Sequence, residues 1–346
     1  MRTHSKENNK NSAAKKIVPA VGMLALSATM LSTSTYAWFT MNKEVEMTGL
    51  NMTATVGEGL EISLAAVDAS NKISAPTAAH PEDTEAEKGW KSAVVADEYY
   101  NSIGKLKPAS STTGVTLFDA LNTSDAGREA SKFKDITSAT DAKVATELRD
   151  TITADTEIAV KEDNAGYYVD IPVYLRTNKS GTGTEKIYYK LNVNPLAKNG
   201  AADVTEADTL YKAVRVAFMS PDGASNLAGN IISGVDDAYY KTGTAGQAVT
   251  SVDSTTNVGT RADVNIKTFD TAGKKLEDIA AVDSGLTITL DDSANYSHLD
   301  FIVRVWLEGE SKSCYNDTAG QSWNIDLAFT LGDPNGNTQN TNGQNA

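Results

Sequence analysis

The sequence is poor in the residue types on which disulfide-rich domains and metal sites depend. It has a single cysteine, Cys314, among 346 residues, so no intramolecular disulfide can form and stability must come from a buried core. It has only three histidines, His4, His80 and His298, and they form no His-Glu-x-x-His pair. The familiar helical zinc-protease site is therefore excluded.

Charged side chains are absent from one long stretch near the N-terminus. None occurs between Lys16 and Lys43, and the apolar core of this stretch, residues 17–31, is typical of an export signal. The charge-free stretch is also long enough to cross a bilayer, which takes about 20 residues. An uncleaved membrane anchor is therefore the alternative to a cleaved signal peptide.

Small residues mark a cleavage site at the end of this stretch. Thr35 and Ala37 are of the kind that a signal peptidase accepts at the third and first positions before its cut. We predict a signal peptide at 1–37 that is cleaved between Ala37 and Trp38. The mature chain would then lie outside the cell or on its surface, and only the signal segment would contact the membrane, before cleavage.

Basic residues are scarce in the part of the chain that remains. The whole sequence has 31 Lys and Arg against 45 Asp and Glu, and loss of residues 1–37 would change its formal net charge from −14 to −18. This balance argues against nucleic acid as a partner. It favours solubility, and it makes divalent cations plausible counterions.

Apolar residues recur at every second position in nine runs, which is the pattern of half-buried β-strands. We therefore predict an all-β sandwich. Pro172 falls inside one run and predicts an edge strand or a bulge there. The best amphipathic helix is 141–152, within an insertion. The runs begin at Phe39, Leu50, Leu60, Val169, Tyr189, Val214, Leu286, Phe301 and Trp323.

Two regions interrupt this rhythm, at about 66–165 and 220–284, and both are rich in small and polar residues. We predict that they are insertions into a β-sandwich domain spanning 38–331, and that they hold small helices and extra strands. The polar tail 332–346 is of low complexity and is predicted to be disordered.

No motif in the sequence predicts catalysis or a cofactor. Cys314 has no histidine nearby in sequence, and a buried thiol is the simpler interpretation. Calcium is the one cofactor considered, because short acidic runs offer oxygen ligands, but none forms a complete site and solvated turns explain them as well. The runs are Asp222-Gly223, Asp236-Asp237, Asp291-Asp292 and 333–337.

The N-terminal residues form a recognisable pattern. A basic pair, an apolar run and Thr35-Tyr36-Ala37-Trp38-Phe39 are followed by Asn42-Lys43-Glu44-Val45 and Thr48-Gly49-Leu50. Residues 15–65 resemble the TasA/camelysin family of exported Gram-positive proteins, whose signal is cut by a specialised, ER-type signal peptidase. The resemblance implies a jelly-roll sandwich that polymerises into fibres of a biofilm matrix, the N-terminal segment of one subunit adding as a strand to the next.

Carried over to this chain, the donor segment would be residues 38–47. Its apolar face would comprise Phe39, Met41, Val45 and Met47. The apolar stripe of a free terminus can be buried either in its own sheet or at the edge of another molecule's sheet. A monomer that closes its own sandwich is therefore the alternative to a fibre.

The sequence also allows two other classes of function. The first is a monomeric surface adhesin or glycan-binding module that presents Trp90, Tyr99-Tyr100 or Tyr239-Tyr240 in its loops. The second is a secreted hydrolase, which the sequence supports least because it lacks a recognisable catalytic motif.

Overall fold

A computed structural model of the chain shows two large β-sheets packed face to face. It describes residues 50–54, 59–64, 90–95, 100–102, 106–120, 133–136, 147–148, 166–196, 209–234, 247–269, 274–314, 318 and 321–332. The predicted signal segment 1–37, and all of the tail except residue 332, lie outside these ranges.

The described residues form eighteen strands and two short 3-10 helices, Leu210–Ala213 and Leu276–Asp278. In chain order the strands are β1 (Leu50–Ala54), β2 (Leu60–Ser63), β3 (Ala93–Val95), β4 (Tyr100–Ser102), β5 (Ala109–Ser110), β6 (Phe118–Ala120), β7 (Phe133–Asp135), β8 (Glu147–Leu148), β9 (Tyr168–Thr177), β10 (Gly183–Leu196), β11 (Val214–Met219), β12 (Ile231–Ser233), β13 (Gln247–Val252), β14 (Gly259–Asp263), β15 (Ile266–Thr268), β16 (Val282–Leu290), β17 (Ser297–Leu307) and β18 (Ser322–Leu331).

Sheet one has five strands in the order β16-β10-β18-β1-β3, and sheet two has six in the order β15-β12-β11-β17-β9-β2. Most neighbours are antiparallel, as expected for strands with one buried face. Two pairs are parallel, β1 with β18 and β12 with β15. Both sheets therefore include strands from the predicted insertions, because β3, β12 and β15 lie in them.

The main core lies between the two sheets. Alternate residues of β10, β16 and β18 meet alternate residues of β9, β11 and β17, and aromatic rings pack edge to face at the centre. The ring centroids of Phe218 and Phe301 are 5.5 Å apart, as are those of Phe301 and Phe329. The prediction of an all-β sandwich is confirmed, whereas a jelly-roll connectivity stays a prediction.

Sheet two is also covered on its outer face. Residues 106–120 cross this face, and Leu117 packs with Trp306, Ile302 and Met219 in a second buried cluster. Ala109 of β5 bridges Glu308 in parallel, which joins the three-stranded sheet β5-β6-β7 to the end of β17. As a result β11 and most of β17 are buried on both faces, whereas β16 of sheet one alternates between buried and exposed residues.

The predicted helix at 141–152 is wrong where the structure describes it. Glu147–Leu148 forms strand β8, which pairs with β4. Pairing with a distant segment has overridden the amphipathic pattern, because local propensity is a weak prior against tertiary contacts. Leu276–Asp278 is the short helix found within the described part of the second insertion.

Pro172 lies where only one side of β9 is paired. It faces Ile302 of β17, whereas β2 pairs with β9 only at Tyr174–Thr177. Strand β9 is therefore interior at its C-terminal half and at the sheet edge around Pro172, in part as predicted. A missing N–H is tolerated at such a position, since no ladder hydrogen bond is lost on the open side.

Candidate functional site

The residues predicted for cleavage and assembly precede the first described strand. Ala37, Trp38, Phe39, Met41, Val45 and Met47 all lie outside the described residues. The described chain begins at Leu50, three positions after Met47. What the structure offers is the surroundings of β1 and the sheet edges to which a further strand could add.

Strand β1 is held on both sides. It runs parallel to β18, with Leu50 opposite Ile325, and antiparallel to β3, with Met52 opposite Val94. A strand has only two hydrogen-bonding sides, and neighbouring strands occupy both of those of β1. The strand that follows the N-terminal segment therefore offers it no free side.

One lateral side of the sandwich is closed by residues 90–95. Lys91 exchanges two backbone hydrogen bonds with Ile62 of β2, at 2.8 and 3.0 Å, at the edge of sheet two. The same segment then continues as β3 at the edge of sheet one. A single stretch of chain thus joins both sheet edges on this side, which we call the closed edge.

A buried arginine stabilises the closed edge. The guanidinium of Arg176 lies between two rings, 4.4 Å from the ring centroid of Trp90 and 4.0 Å from that of Tyr296, and it is 2% exposed. It also donates a hydrogen bond of 2.7 Å to the carboxylate of Glu61 on β2. Cation–π stacking and a charged hydrogen bond together fix Trp90, and hence residues 90–95, against β9.

The opposite side, where the sheets end in β16 and β15, has no such bridge among the described residues. We call the outer side of β16 the open edge. Strand β15 is three residues long and exposes Lys267 at its centre, which is a common protection against strand addition. Strand β16 is nine residues long. Its first half exposes Asp283, which pairs with Lys186, and its second half exposes Thr287 and Thr289, both uncharged.

A β-bulge lies in the first half of β16. The register with β10 shifts between Lys186 and Tyr188, opposite Gly285, whose φ is 76°. The Asp283 carboxylate accepts hydrogen bonds from Lys186 Nζ, at 2.6 Å, and from Gly285 N–H, at 3.0 Å. Burial acts to raise the pKa of Asp283, but these hydrogen bonds outweigh it and the pKa is lowered. Beyond the bulge, β16 is regular up to Leu290.

Two charge clusters are buried at the outer face of sheet two. In the first, the Arg304 guanidinium donates two hydrogen bonds to Asp170, at 2.7 and 2.8 Å, and one to the Gly114 carbonyl, at 2.8 Å. This bidentate pair ties β17 to β9 and to the covering loop. It acts as a structural cross-link because its groups satisfy one another.

The second cluster brings two glutamates together at the end of β17. Glu308 and Glu310 are both buried, and Arg261 of β14 donates a hydrogen bond of 2.7 Å to Glu310. Burial raises the pKa of Glu308 to about 7, against the opposing effects of the Arg215 charge and a hydrogen bond from Ser110. This side chain is therefore a buried carboxyl that titrates near neutral pH.

The remaining candidates for chemistry are dispersed. His298 stacks beside Trp90 with the ring centroids 5.9 Å apart, and Cys314 is buried. Asp222 and Asp291 accept hydrogen bonds within their own turns, whereas His4, His80, Asp236-Asp237 and 333–337 lie outside the described residues. Within the described ranges, no group of three His, Cys, Asp or Glu residues is placed to hold a metal ion.

Of the aromatic residues considered for ligand binding, Trp90 is 5% exposed and covered by Arg176. Its ring face is therefore not presented to solvent. Tyr100 lies in β4, and Tyr99, Tyr239 and Tyr240 are outside the described residues. No helix in the described part of the chain is long and apolar enough to cross a membrane.

Comparison with known proteins gives no match to the chain among family models, curated proteins or solved structures. The sheet edges were not found by sequence reasoning. The alternating Leu-Thr-Ile-Thr-Leu of 286–290 signals a half-buried strand with threonine on its exposed face, but it does not reveal that this strand ends a sheet.

Proposed function

We propose that this protein is a secreted structural protein that assembles into extracellular or cell-surface fibres by donation of its N-terminal strand. The observation that carries the proposal is the position of β1, whose two sides are taken by β18 and β3. The apolar stripe of residues 38–47 cannot form a hairpin with the strand that follows it. It needs another sheet edge.

The energetics favour such an edge over exposure to water. Burying a side chain of the size of Phe, Met or Val is worth about 1.5–3 kcal/mol. The segment carries four of them on one face, Phe39, Met41, Val45 and Met47, and this face also includes Lys43. The positions of the other face between them, 40, 42, 44 and 46, are all polar or charged. A strand with this alternation matches the edge of a half-buried sheet.

Export and assembly are linked in this proposal. Cleavage after Ala37 by a signal peptidase would release Trp38 as the new N-terminus and so free the donor segment. Each subunit would donate its strand to the next, head to tail. Such an interface forms a filament unless the rotation between successive subunits closes a ring. The likeness of residues 15–65 to the TasA/camelysin family supports the same function in a biofilm matrix.

The first test is N-terminal sequencing of the exported protein followed by negative-stain electron microscopy of the same sample. We expect Trp38 as the first residue and filaments in the micrographs. Absence of filaments would overturn the proposal, and glycan binding by a stable monomer would favour the adhesin alternative.

The second test separates the two faces of the donor segment. The variant Phe39→Asp/Val45→Asp places two charges on the apolar face, and its matched control Thr40→Asp/Asn42→Asp places the same charges on the other face. We expect the first to lose filaments and the control to keep them, because only the first buries carboxylates in the acceptor. Equal assembly of the two variants would refute strand donation.

A further inference from the structure

We propose that the acceptor for the donated strand is the open edge of β16, at Leu286–Leu290, and that its occupant is the segment 38–47 of a second copy of the chain. This inference rests on the proposed function and adds to it where the contact forms. It depends on three properties of the edge: the direction of its backbone groups, its lack of protection and its apolar surroundings.

The backbone of β16 points outward at two threonines. The Lys186 carbonyl accepts a hydrogen bond from Gly332 N–H, at 2.9 Å, so Lys186 is turned towards β18. Thr287 is directly opposite Lys186, and Thr289 is opposite Thr184 two residues along. Two directly opposed residues of an antiparallel pair either exchange backbone hydrogen bonds or both turn their N–H and C=O groups away from each other. Because Lys186 is turned away from β16, Thr287 and Thr289 direct their N–H and C=O groups to the open edge.

This stretch lacks the devices by which proteins protect edges. It has no proline, and no charged side chain stands at Leu286–Leu290. The register shift covers residues 284–286, opposite Ile187, and leaves Thr287–Leu290 regular. The other edges of the sandwich differ. Lys267 protects β15, Lys91 pairs with β2, and β3, which ends sheet one, is only three residues long.

Apolar groups line the core side of the open edge. Leu286, Ile288 and Leu290 point into the core, and the Ala228 backbone lies 3.3 Å from the position that a Cβ at Gly285 would take. The neighbouring Leu227 is 39% exposed, although it is a large apolar residue. A strand added beside Leu286–Leu290 would place its apolar face over this surface.

Length and pattern fit the N-terminal segment of a second copy. Residues 38–47 can span the four regular residues of the edge, Thr287–Leu290, with positions to spare, and their apolar residues would continue the core face of sheet one. Their polar positions, including Thr40 and Asn42, would then share the solvent face with Thr287 and Thr289.

Cysteine cross-linking tests the contact. A disulfide requires Cα atoms about 4.4–6.8 Å apart, a distance that opposed residues on neighbouring strands meet. Cysteine is introduced at position 40, 42 or 44, combined with Thr287→Cys or Thr289→Cys. The matched control carries Lys267→Cys on β15, and the parent with only the buried Cys314 is the background.

The expected result is a ladder of covalent dimers and higher oligomers from filaments with a cysteine on β16, and none from the Lys267→Cys control. A ladder through position 267 alone, a cross-link within one chain, or filaments without any ladder through β16 would overturn the acceptor assignment and leave the proposed function standing. If the parent forms no filaments, the proposed function fails first, and this inference fails with it.

A proline variant tests the same edge without cysteines. Thr289→Pro removes an outward N–H but no hydrogen bond to β10, and its matched control is Thr289→Ala. We expect Thr289→Pro to slow filament growth about tenfold or more and Thr289→Ala to leave it nearly unchanged, because proline blocks pairing on an edge. Circular dichroism melting checks that both variants fold. Equal growth of two folded variants would contradict the assignment.

Discussion

The two lateral sides of the sandwich differ in how the edges of the sheets are covered. On the closed edge, residues 90–95 bridge β2 and β3, and Arg176 is stacked between Trp90 and Tyr296 behind them. On the open edge, no described segment pairs with the outer side of β16, where Thr287 and Thr289 are exposed. An unpaired edge like that of β16 is therefore not a general property of this sandwich, since residues 90–95 bridge the two sheets on the other side.

The difference has a physical basis in what each edge buries. A covered edge satisfies its backbone groups within the molecule and removes a template for pairing. An uncovered and uncharged edge leaves those groups to water or to another chain. Of the changes that follow, the first opens the closed edge, and the others alter the stability of the fold without uncovering an edge.

Opening the closed edge should have the largest effect. Trp90→Ala removes a buried ring that covers Arg176, and we expect a loss of about 3–5 kcal/mol in the free energy of unfolding. Urea denaturation measures this, and light scattering should report new association through the exposed β2. Trp90→Phe is the control and should cost less, because a ring remains over the guanidinium. An alanine variant as stable as the parent would contradict this account of the closed edge.

A change of pH should weaken the fold without touching either edge. Burial raises the pKa of Glu308 from its ordinary 4.5 to about 7, so the folded state retains this proton more strongly than the unfolded state. Its stabilising effect is complete below pH 4.5 and is lost as the pH rises to about 7, a difference of about 3 kcal/mol.

Urea denaturation between pH 5 and 8 measures this slope. The variant Glu308→Gln has no proton to lose and should remove most of the fall in stability. A parent whose stability does not change over this range would contradict the buried position of Glu308. The lowered pKa values of Asp222 and Asp291 act below this range, so they do not mask the effect.

The smallest effect is expected at the bulge that ends the open edge. Gly285 has a φ of 76°, which costs a residue with a Cβ about 1 kcal/mol, so Gly285→Ala should lower the free energy of unfolding by that amount. Thr287→Ala on the same strand is the control, and its effect should be within about 0.5 kcal/mol. Chemical denaturation compares the two, and equal stabilities would show that the bulge is not strained by a side chain.

Strands with a clear apolar alternation were predictable, and strands without one were not. Eight of the nine periodic runs coincide with described strands, from β1 to β18, and the run at Phe39 lies outside the described residues. The ten further strands, β3–β8 and β12–β15, are two to six residues long and did not stand out as alternating apolar runs. Their strand conformation comes from partners far along the chain, as when Glu147–Leu148 pairs with β4 in place of the predicted helix.

The buried charges were equally beyond sequence reasoning. Arg176, Arg215 and Arg304 each stand within an apolar run, where the alternation alone would place them on a solvated face. Sheet two is covered on its outer face, so two of them are buried by residues 106–120 and their neighbours, and Arg176 by Trp90 and Tyr296. Only the packing of distant segments creates these sites.

The all-β character of the protein could be predicted from residue order alone, because a period of two along a strand is a local property of alternating side chains. The same residue order carries the pattern from which we predict export and the apolar positions of residues 38–47. The tertiary structure places β1 between two strands, closes one edge through the Ile62–Lys91 bridge and, within the described residues, leaves the outer side of β16 unpaired. Strand order is set by hydrogen bonds between residues far apart in the chain, and no local pattern encodes it.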